Sequence, residues 1–159
     1  MRRSIRRFIV AVAALSALFA VVQGCAGIKK GSPTVQVTLT GAPDCNNCGG
    51  GTPSTVKFRI FQVADTGAVR TMLNKGLPWA KHVEAAGPNI VMNVGEDFVS
   101  PGISKTKSTQ RAPNATAIVV EGNFCKKVGA SWYTIHPFAK KGPLLITAGS
   151  TGLTVTSGK

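Results

Sequence analysis

Apolar and polar residues alternate along several short stretches of this chain. The clearest of these patterns begins at residue 34. In residues 34–40, every second position is a valine or leucine: Val35, Val37 and Leu39. Because side chains along a β-strand point to opposite faces in turn, this alternation predicts a strand with one buried face.

Residues 55–63 predict a second strand, but their pattern changes phase near Ile60. Val56, Phe58 and Ile60 alternate with basic residues, whereas Phe61 and Val63 fall on the opposite face. We therefore expect either a bulge near Ile60 or a strand that is covered on both sides at its far end.

One helix interrupts the predicted strands. Asp65 or Thr66 can cap a short helix that continues to Lys75, and Gly76 supplies a stop. Its apolar face contains Val69, Met72 and Leu73. After this helix, Leu77, Pro78 and Trp79 indicate an irregular apolar segment.

From residue 89 onwards, short apolar stretches alternate with turns. The predicted strands are 89–94, 98–99, 103–109, 115–124, 132–138, 144–147 and 153–156. Seven or eight short strands with regular turn signals predict an all-β, two-sheet β-sandwich with one short helix beside it.

The N-terminus carries a different signal. Four arginines precede an apolar segment, residues 8–22, that is too short to span a membrane comfortably. It predicts a secretory signal peptide, and the sequence Val22-Gln23-Gly24-Cys25 resembles the lipobox of bacterial lipoproteins. That resemblance implies cleavage before Cys25 and acylation of Cys25. An uncleaved anchor with Cys25 as a buried thiol is the less favoured alternative.

The chain then divides into a signal peptide (1–24), a lipidated cysteine with a tether (25–33) and a β-sandwich domain (34–159). Phe8 follows Arg7 directly, which favours general secretion over twin-arginine export. The tether reaches at most about 29 Å, so the domain would stay close to its membrane. Ala26 is not the aspartate that resembles an inner-membrane retention signal, which implies the outer membrane.

The net charge of the chain limits the classes of partner that it can bind. Removing the signal peptide lowers the formal net charge from +13 to +9, a surface that attracts anionic partners. Nucleic acid is disfavoured by the export signal and by the scattered basic residues.

Apart from Cys25, an odd number of cysteines remains: Cys45, Cys48 and Cys125.

Cys45 and Cys48 lie in a loop, residues 41–54, that is rich in Pro, Asp, Asn and Gly. A disulfide is favoured, either within this pair or from one of them to Cys125. We expect Cys45–Cys48, because adjacency guarantees that the two thiols meet. A redox-active pair is disfavoured without a following helix, and a metal site of three thiols with His136 is a weak alternative.

Few other residues in the sequence indicate a catalytic or ligand-binding site. The chain has only six acidic residues and two histidines, His82 and His136, and neither histidine belongs to a recognisable nucleophile motif. The sequence therefore predicts no enzyme, no cofactor, no metal and no small-molecule substrate.

The order of elements resembles that of the type VI secretion outer-membrane lipoprotein family, TssJ. The matching tokens are Pro43-Asp44, Gly51-Thr52-Pro53-Ser54, Lys57–Val63, Gly67–Lys75, Phe98–Gly102, Ile118–Phe124 and Trp132. The sequence departs from the family in two places. The Cys-Asn-Asn-Cys-Gly-Gly insert is not usual in the family's loop, and Cys125-Lys126 stands where the family commonly has Arg-Asp.

The resemblance implies a transthyretin-like β-sandwich with a structural role and no reaction. Acyl chains on Cys25 would hold the protein in outer-membrane lipid, with the domain facing the periplasm. The domain would dock on the periplasmic part of a TssM-like inner-membrane protein. The docking loop implied by the family corresponds here to Pro43, Asp44, Gly51, Thr52, Pro53 and Ser54. An unrelated envelope lipoprotein that binds a ligand, metal or polysaccharide through the Cys45/Cys48 loop is the alternative.

Overall fold

A computed structural model describes residues 31–139 and 142–157 of the chain. Its eight strands are β1 (Thr34–Gly41), β2 (Val56–Val63), β3 (Ile90–Val99), β4 (Ser104–Gln110), β5 (Ala117–Asn123), β6 (Tyr133–Pro137), β7 (Leu144–Ala148) and β8 (Leu153–Ser157). They form two four-stranded sheets, in the orders β4-β1-β7-β8 and β3-β2-β5-β6. The predicted two-sheet sandwich is confirmed, with the stretches 89–94 and 98–99 joined into one strand, β3.

The predicted signal peptide and Cys25 lie outside the described residues, so the lipidation and domain boundaries stay predictions. Within the described part, no helix is long and apolar enough to cross a membrane.

Most neighbouring strands are antiparallel, whereas β1 and β7 run parallel. Apolar residues of β1, β2, β3, β5, β6 and β7 meet in a single core, whereas β4 has no buried residue. Its largest fully buried apolar side chains are Phe58, Phe61, Leu39, Ile60, Leu73, Ile118, Leu144 and Ile146. Each buried side chain of this size contributes about 1.5–3 kcal/mol relative to exposure, so these residues dominate the stability of the fold.

Strand β2 is covered on both faces, and Lys57 is its one residue that is not fully buried. The phase change near Ile60 does not come from an extra residue in β2, because β2 keeps a continuous register with β5. Ile60 pairs with Gly95 and Phe61 with Asn93, so the extra residue lies in β3. Gly95 has φ 114°, a backbone conformation that favours glycine at this bulge.

The connection between β2 and β3 covers the outer face of the β3-β2-β5-β6 sheet. It contains α1 (Thr66–Leu73), a 3₁₀ turn (Trp79–Lys81), α2 (His82–Ala86) and a second 3₁₀ turn (Gly87–Asn89). As predicted, Asp65 caps α1 by accepting hydrogen bonds from the backbone N–H groups of Gly67 and Ala68. The prediction of a single helix was wrong, because α2 is five residues long and too short to show apolar periodicity.

Candidate functional site

The loop between β1 and β2, residues 42–55, carries the chain from one sheet to the other and has a buried base. Cys45 and Asn46 are buried there, although the sequence showed no apolar pattern. The backbone N–H of Asn46 donates to the Gly149 carbonyl, and the N–H of Ser54 donates to the Cys45 carbonyl, at 3.0 Å each. These bonds close the base and turn the loop outwards.

The side chain of Asn46 joins three segments. Its Nδ2 donates to Ser54 Oγ (3.0 Å) and to the Thr55 carbonyl (2.9 Å). Its Oδ1 accepts from the backbone N–H of Cys125 at 2.9 Å. Asn46 also adopts φ 50°, a left-handed conformation that asparagine tolerates better than most residues. No residue pattern in the sequence distinguished Asn46 from its neighbour Asn47.

A disulfide joins Cys48 to Cys125 across 77 residues of sequence. The expected Cys45–Cys48 bond is therefore wrong. Cys45 is instead a free, buried thiol that donates to the Ser54 carbonyl at 3.2 Å. The reason is tertiary: the hydrogen bond that the Cys125 backbone N–H donates to Asn46 Oδ1 holds the end of β5 beside the loop, while Cys45 is buried in the base.

Burial raises the pKa of the Cys45 thiol, and the nearby Asp44 charge raises it further. A thiol that resists ionisation is a poor nucleophile and a poor metal ligand. Two of the three thiols are also joined in the disulfide, so they do not meet with His136 to form a cluster. Within the described ranges, no group of His, Cys, Asp and Glu side chains could hold a metal ion.

The predicted docking residues divide into an exposed and a half-buried set. Pro43, Asp44, Gly51 and Thr52 are exposed, whereas Pro53 and Ser54 are half-buried. Ser54 supports the loop, since its hydroxyl donates to the Asn46 carbonyl at 2.9 Å. The family-derived residues therefore lie on one loop, with its exposed part available for contacts.

Asp44 is the acidic residue of this loop. The other acidic side chains are used internally: Asp65 caps α1, Glu84 pairs with Lys81, Asp97 with Lys105, Glu96 with Lys57 and Arg59, and Glu121 with His82. Among the described residues, Asp44 makes no ion pair. Its carboxylate is exposed and free to meet a partner.

A buried polar network underlies the helical connection, and the sequence analysis missed it. Glu121 is fully buried, with Oε2 at 3.0 Å from His82 Nδ1 and 3.8 Å from Arg59 Nη1. His82 Nε2 lies 2.9 Å from the Leu77 carbonyl, so Nε2 carries the hydrogen. Arg59 Nη1 donates to the Trp79 carbonyl. The guanidinium of Arg59 also stacks on the Trp79 ring, with Cζ 4.5 Å from the ring centroid.

This network is structural in its geometry. Each charged member of the network is paired and covered. The signal in the sequence that could have indicated this network is the presence of the charged residues Arg59 and Glu121, which are direct neighbours on adjacent strands. At its edge, hydrogen bonding to Lys57 and Arg59 lowers the pKa of Glu96. The arrangement attaches the helical connection to the sheet.

The described part of the chain is thus a two-sheet sandwich that presents a polar loop, bound at its base by a disulfide. The model of the type VI secretion lipoprotein family, which includes VasD, EvfM and TssJ, matches residues 33–156. The chain belongs to the type VI secretion lipoprotein family, as the resemblance implied. The alternative of an unrelated envelope lipoprotein is therefore wrong.

Solved structures have the same fold. TssJ1, a type VI secretion lipoprotein from Pseudomonas aeruginosa, matches with a TM-score of 0.67 and 15% identity, over 80% of this chain and 98% of that chain. A chain of a structure described as the TssM C-terminal domain from EAEC matches with a TM-score of 0.65 and 17% identity, over 79% and 98%. A chain of a type VI membrane complex matches with a TM-score of 0.69 and 18% identity, over 77% and 97%. No curated protein matches the chain.

Proposed function

We propose that this chain is a lipid-anchored structural subunit of a type VI secretion trans-envelope complex. In this role it docks the periplasmic domain of a TssM-like inner-membrane component to the outer membrane, and it catalyses no reaction. Acyl chains on Cys25 hold it in outer-membrane lipid, and residues 26–33 tether the domain on the periplasmic side.

The observation that carries this proposal is the geometry of the β1–β2 loop. A protein-docking loop needs an exposed surface whose conformation is already set, because ordering a flexible loop on binding costs free energy. Here the buried Asn46 and the Cys48–Cys125 disulfide hold the base, while Pro43, Asp44 and Thr52 face solvent.

A binding experiment with the full chain in detergent tests the docking surface. We would replace Pro43, Asp44 and Thr52 together by alanine, which leaves Asn46, Cys48 and Ser54 in place. We expect the affinity for the periplasmic domain of the TssM-like protein to fall by at least about tenfold, since a few central residues carry most of an interface's energy.

The matched control is a variant on the outer face of one sheet, outside the loop. Thr38, Thr154 and Thr156 lie on the outer face of the β4-β1-β7-β8 sheet, and replacing all three by alanine changes as many surface positions. This control should bind like the wild type. Equal affinity of the loop variant and the wild type would refute the docking surface.

The anchor has a separate test. The substitution Cys25→Ser should abolish incorporation of radiolabelled palmitate and release the protein from the outer-membrane fraction of a sucrose gradient. A Cys25→Ser protein that still carries palmitate, or a wild-type protein that fractionates with the inner membrane, would contradict the proposed location.

A further inference from the structure

A cleft of about 420 Å³ lies between the end of α1 and the loop that follows β5. One wall contains Leu73, Asn74, Gly76 and Leu77, and the other contains Lys127, Gly129 and Trp132. Tyr133 ties the two walls together, since its hydroxyl lies 2.9 Å from Asn74 Oδ1. The cleft is thus an ordered depression with a cation in its wall.

Lys127 has an unusual environment in this wall. Its ammonium nitrogen lies 4.1 Å from the centroid of the Trp132 ring and 6.0 Å from that of Trp79. Partial burial lowers the pKa of Lys127. Within the described ranges, no carboxylate oxygen lies within 4.0 Å of this nitrogen. The aromatic rings thus lie beside an exposed cation that has no direct ion pair in the described part of the chain and is acted on only by the more distant charge of Glu121.

The surface beside the cleft is also basic. Lys126 and Lys75 are exposed, and neither takes part in an ion pair among the described residues. Among the chain's acidic side chains, Glu121 acts on Lys127 through its charge without a direct ion pair, and the others except Asp44 are bonded elsewhere. A ligand that complements this surface must bring negative charge.

The basic segment beside the cleft is connected to the β1–β2 loop through Cys125. Lys126 and Lys127 directly follow Cys125, which is bonded to Cys48 of that loop and donates its backbone N–H to Asn46. The disulfide thus attaches the basic segment to the base of the loop.

We propose that this cleft binds an aspartate or glutamate side chain of the protein partner, with the carboxylate placed against Lys127 beside the Trp132 ring. This inference rests on the proposed docking function and adds the chemistry of the partner, an acidic surface segment. The carboxylate forms the direct ion pair that Lys127 lacks among the described residues, and the apolar wall around Leu73 and Leu77 receives the stem of the side chain.

The molecule contains its own reporter for the first test. The chain has two tryptophans, and both rings lie within 6.0 Å of the Lys127 ammonium. The full chain in detergent would be titrated with the peptide acetyl-(Glu)₄-amide, with acetyl-(Gln)₄-amide as the neutral probe. We expect a saturable change in tryptophan fluorescence with the glutamate peptide only, and weaker binding as salt is raised.

Two charge-matched variants then locate the site. Lys127→Gln should abolish the fluorescence response, whereas Lys105→Gln, on the edge strand β4 of the other sheet, should leave it unchanged. A response that persists in Lys127→Gln, or the absence of any saturable response in the wild-type chain, would overturn the proposal.

A second measurement uses the partner itself. We expect Lys127→Gln to weaken binding of the TssM-like periplasmic domain about three- to tenfold, mostly through a slower association rate, as a charge at the edge of an interface does. If the loop variant loses binding while Lys127→Gln binds like the wild type, the cleft proposal fails and the docking function stands. If neither variant affects binding, the docking function fails as well, and the peptide titration alone decides the cleft.

Discussion

The two long connections that flank β2 are stabilised in opposite ways. The connection after β2 packs an apolar helix face on the sheet, with Val69, Met72 and Leu73 buried. The β1–β2 loop has no apolar face, and its buried base consists of Cys45 and the polar Asn46. Hydrogen bonds and one disulfide take the place of a hydrophobic contact.

This difference separates a connection that supports the sheet from a loop that can dock a partner. A helical connection that buries its apolar face also covers the sheet beneath it. A loop that is held by polar bonds and a disulfide at its base can leave its remaining surface exposed. The four predictions below test this contrast, in order of decreasing effect on stability.

Removal of the Cys48–Cys125 disulfide should have the largest effect. The bond closes 77 residues of sequence, and loop-closure entropy gives a stabilisation of about 4.5 kcal/mol for a loop of this length. We expect the double variant Cys48→Ser/Cys125→Ser to lose up to this amount in urea unfolding, and the reduced wild type to behave like the variant.

Thiol labelling checks the pairing itself. Because burial raises the pKa of Cys45, its thiolate is scarce at pH 8, and iodoacetamide should modify it only after unfolding. A peptide map that links Cys45 to Cys48, or a stability that reduction leaves unchanged, would contradict the structure.

Replacement of Glu121 by alanine should destabilise the helical connection nearly as much. It leaves His82 with no carboxylate and Arg59 with Glu96 alone, and loss of one partner of a buried ion pair costs about 3–5 kcal/mol. Urea unfolding measures the change. Glu121→Gln keeps an acceptor for His82 and is the matched control, which should lose distinctly less; equal losses would show that the hydrogen bond contributes little.

Asn46→Ala should have an intermediate effect, at the base of the loop. The substitution removes the side-chain bonds to Ser54, Thr55 and Cys125, and the groups left unpaired there cost about 2 kcal/mol. Its neighbour Asn47 is the control, since Asn47→Ala affects a local bond to Gly49 and should change stability by less than about 0.5 kcal/mol. Similar values for both variants would remove the distinction between base and surface of the loop.

Asp44→Ala should have the smallest effect on stability and a clear effect on docking. Asp44 is exposed and unpaired in the described part of the chain, so the free energy of unfolding should change by less than about 0.5 kcal/mol. Binding of the TssM-like periplasmic domain should weaken measurably in the same preparation. A variant that loses stability instead would place Asp44 among the supporting residues.

The strand pattern was readable from the sequence because it depends on local alternation. Residues 34–40 needed only their own polarity to predict β1, and the same holds for the capped helix at Asp65. The order of tokens around Arg59–Val63 also indicated the family. The family match to residues 33–156 confirms that reading.

Other features depended on residues that are distant in sequence. The helix His82–Ala86 is attached to the sheet by Glu121, 39 residues later, which lies within hydrogen-bond distance of His82. The pairing of Cys48 with Cys125 likewise depends on the end of β5 reaching the loop, whereas adjacency favoured Cys45.

The sequence alone determined the sandwich, its strand order along the chain and the family, since polarity period, caps and turns act over a few residues. Only the tertiary structure decided which cysteines pair, that Asn46 is the support of the loop, and that Lys127 lies close to two indole rings. These depend on the distances between side chains from separate strands, and such distances exist only after the two sheets have packed.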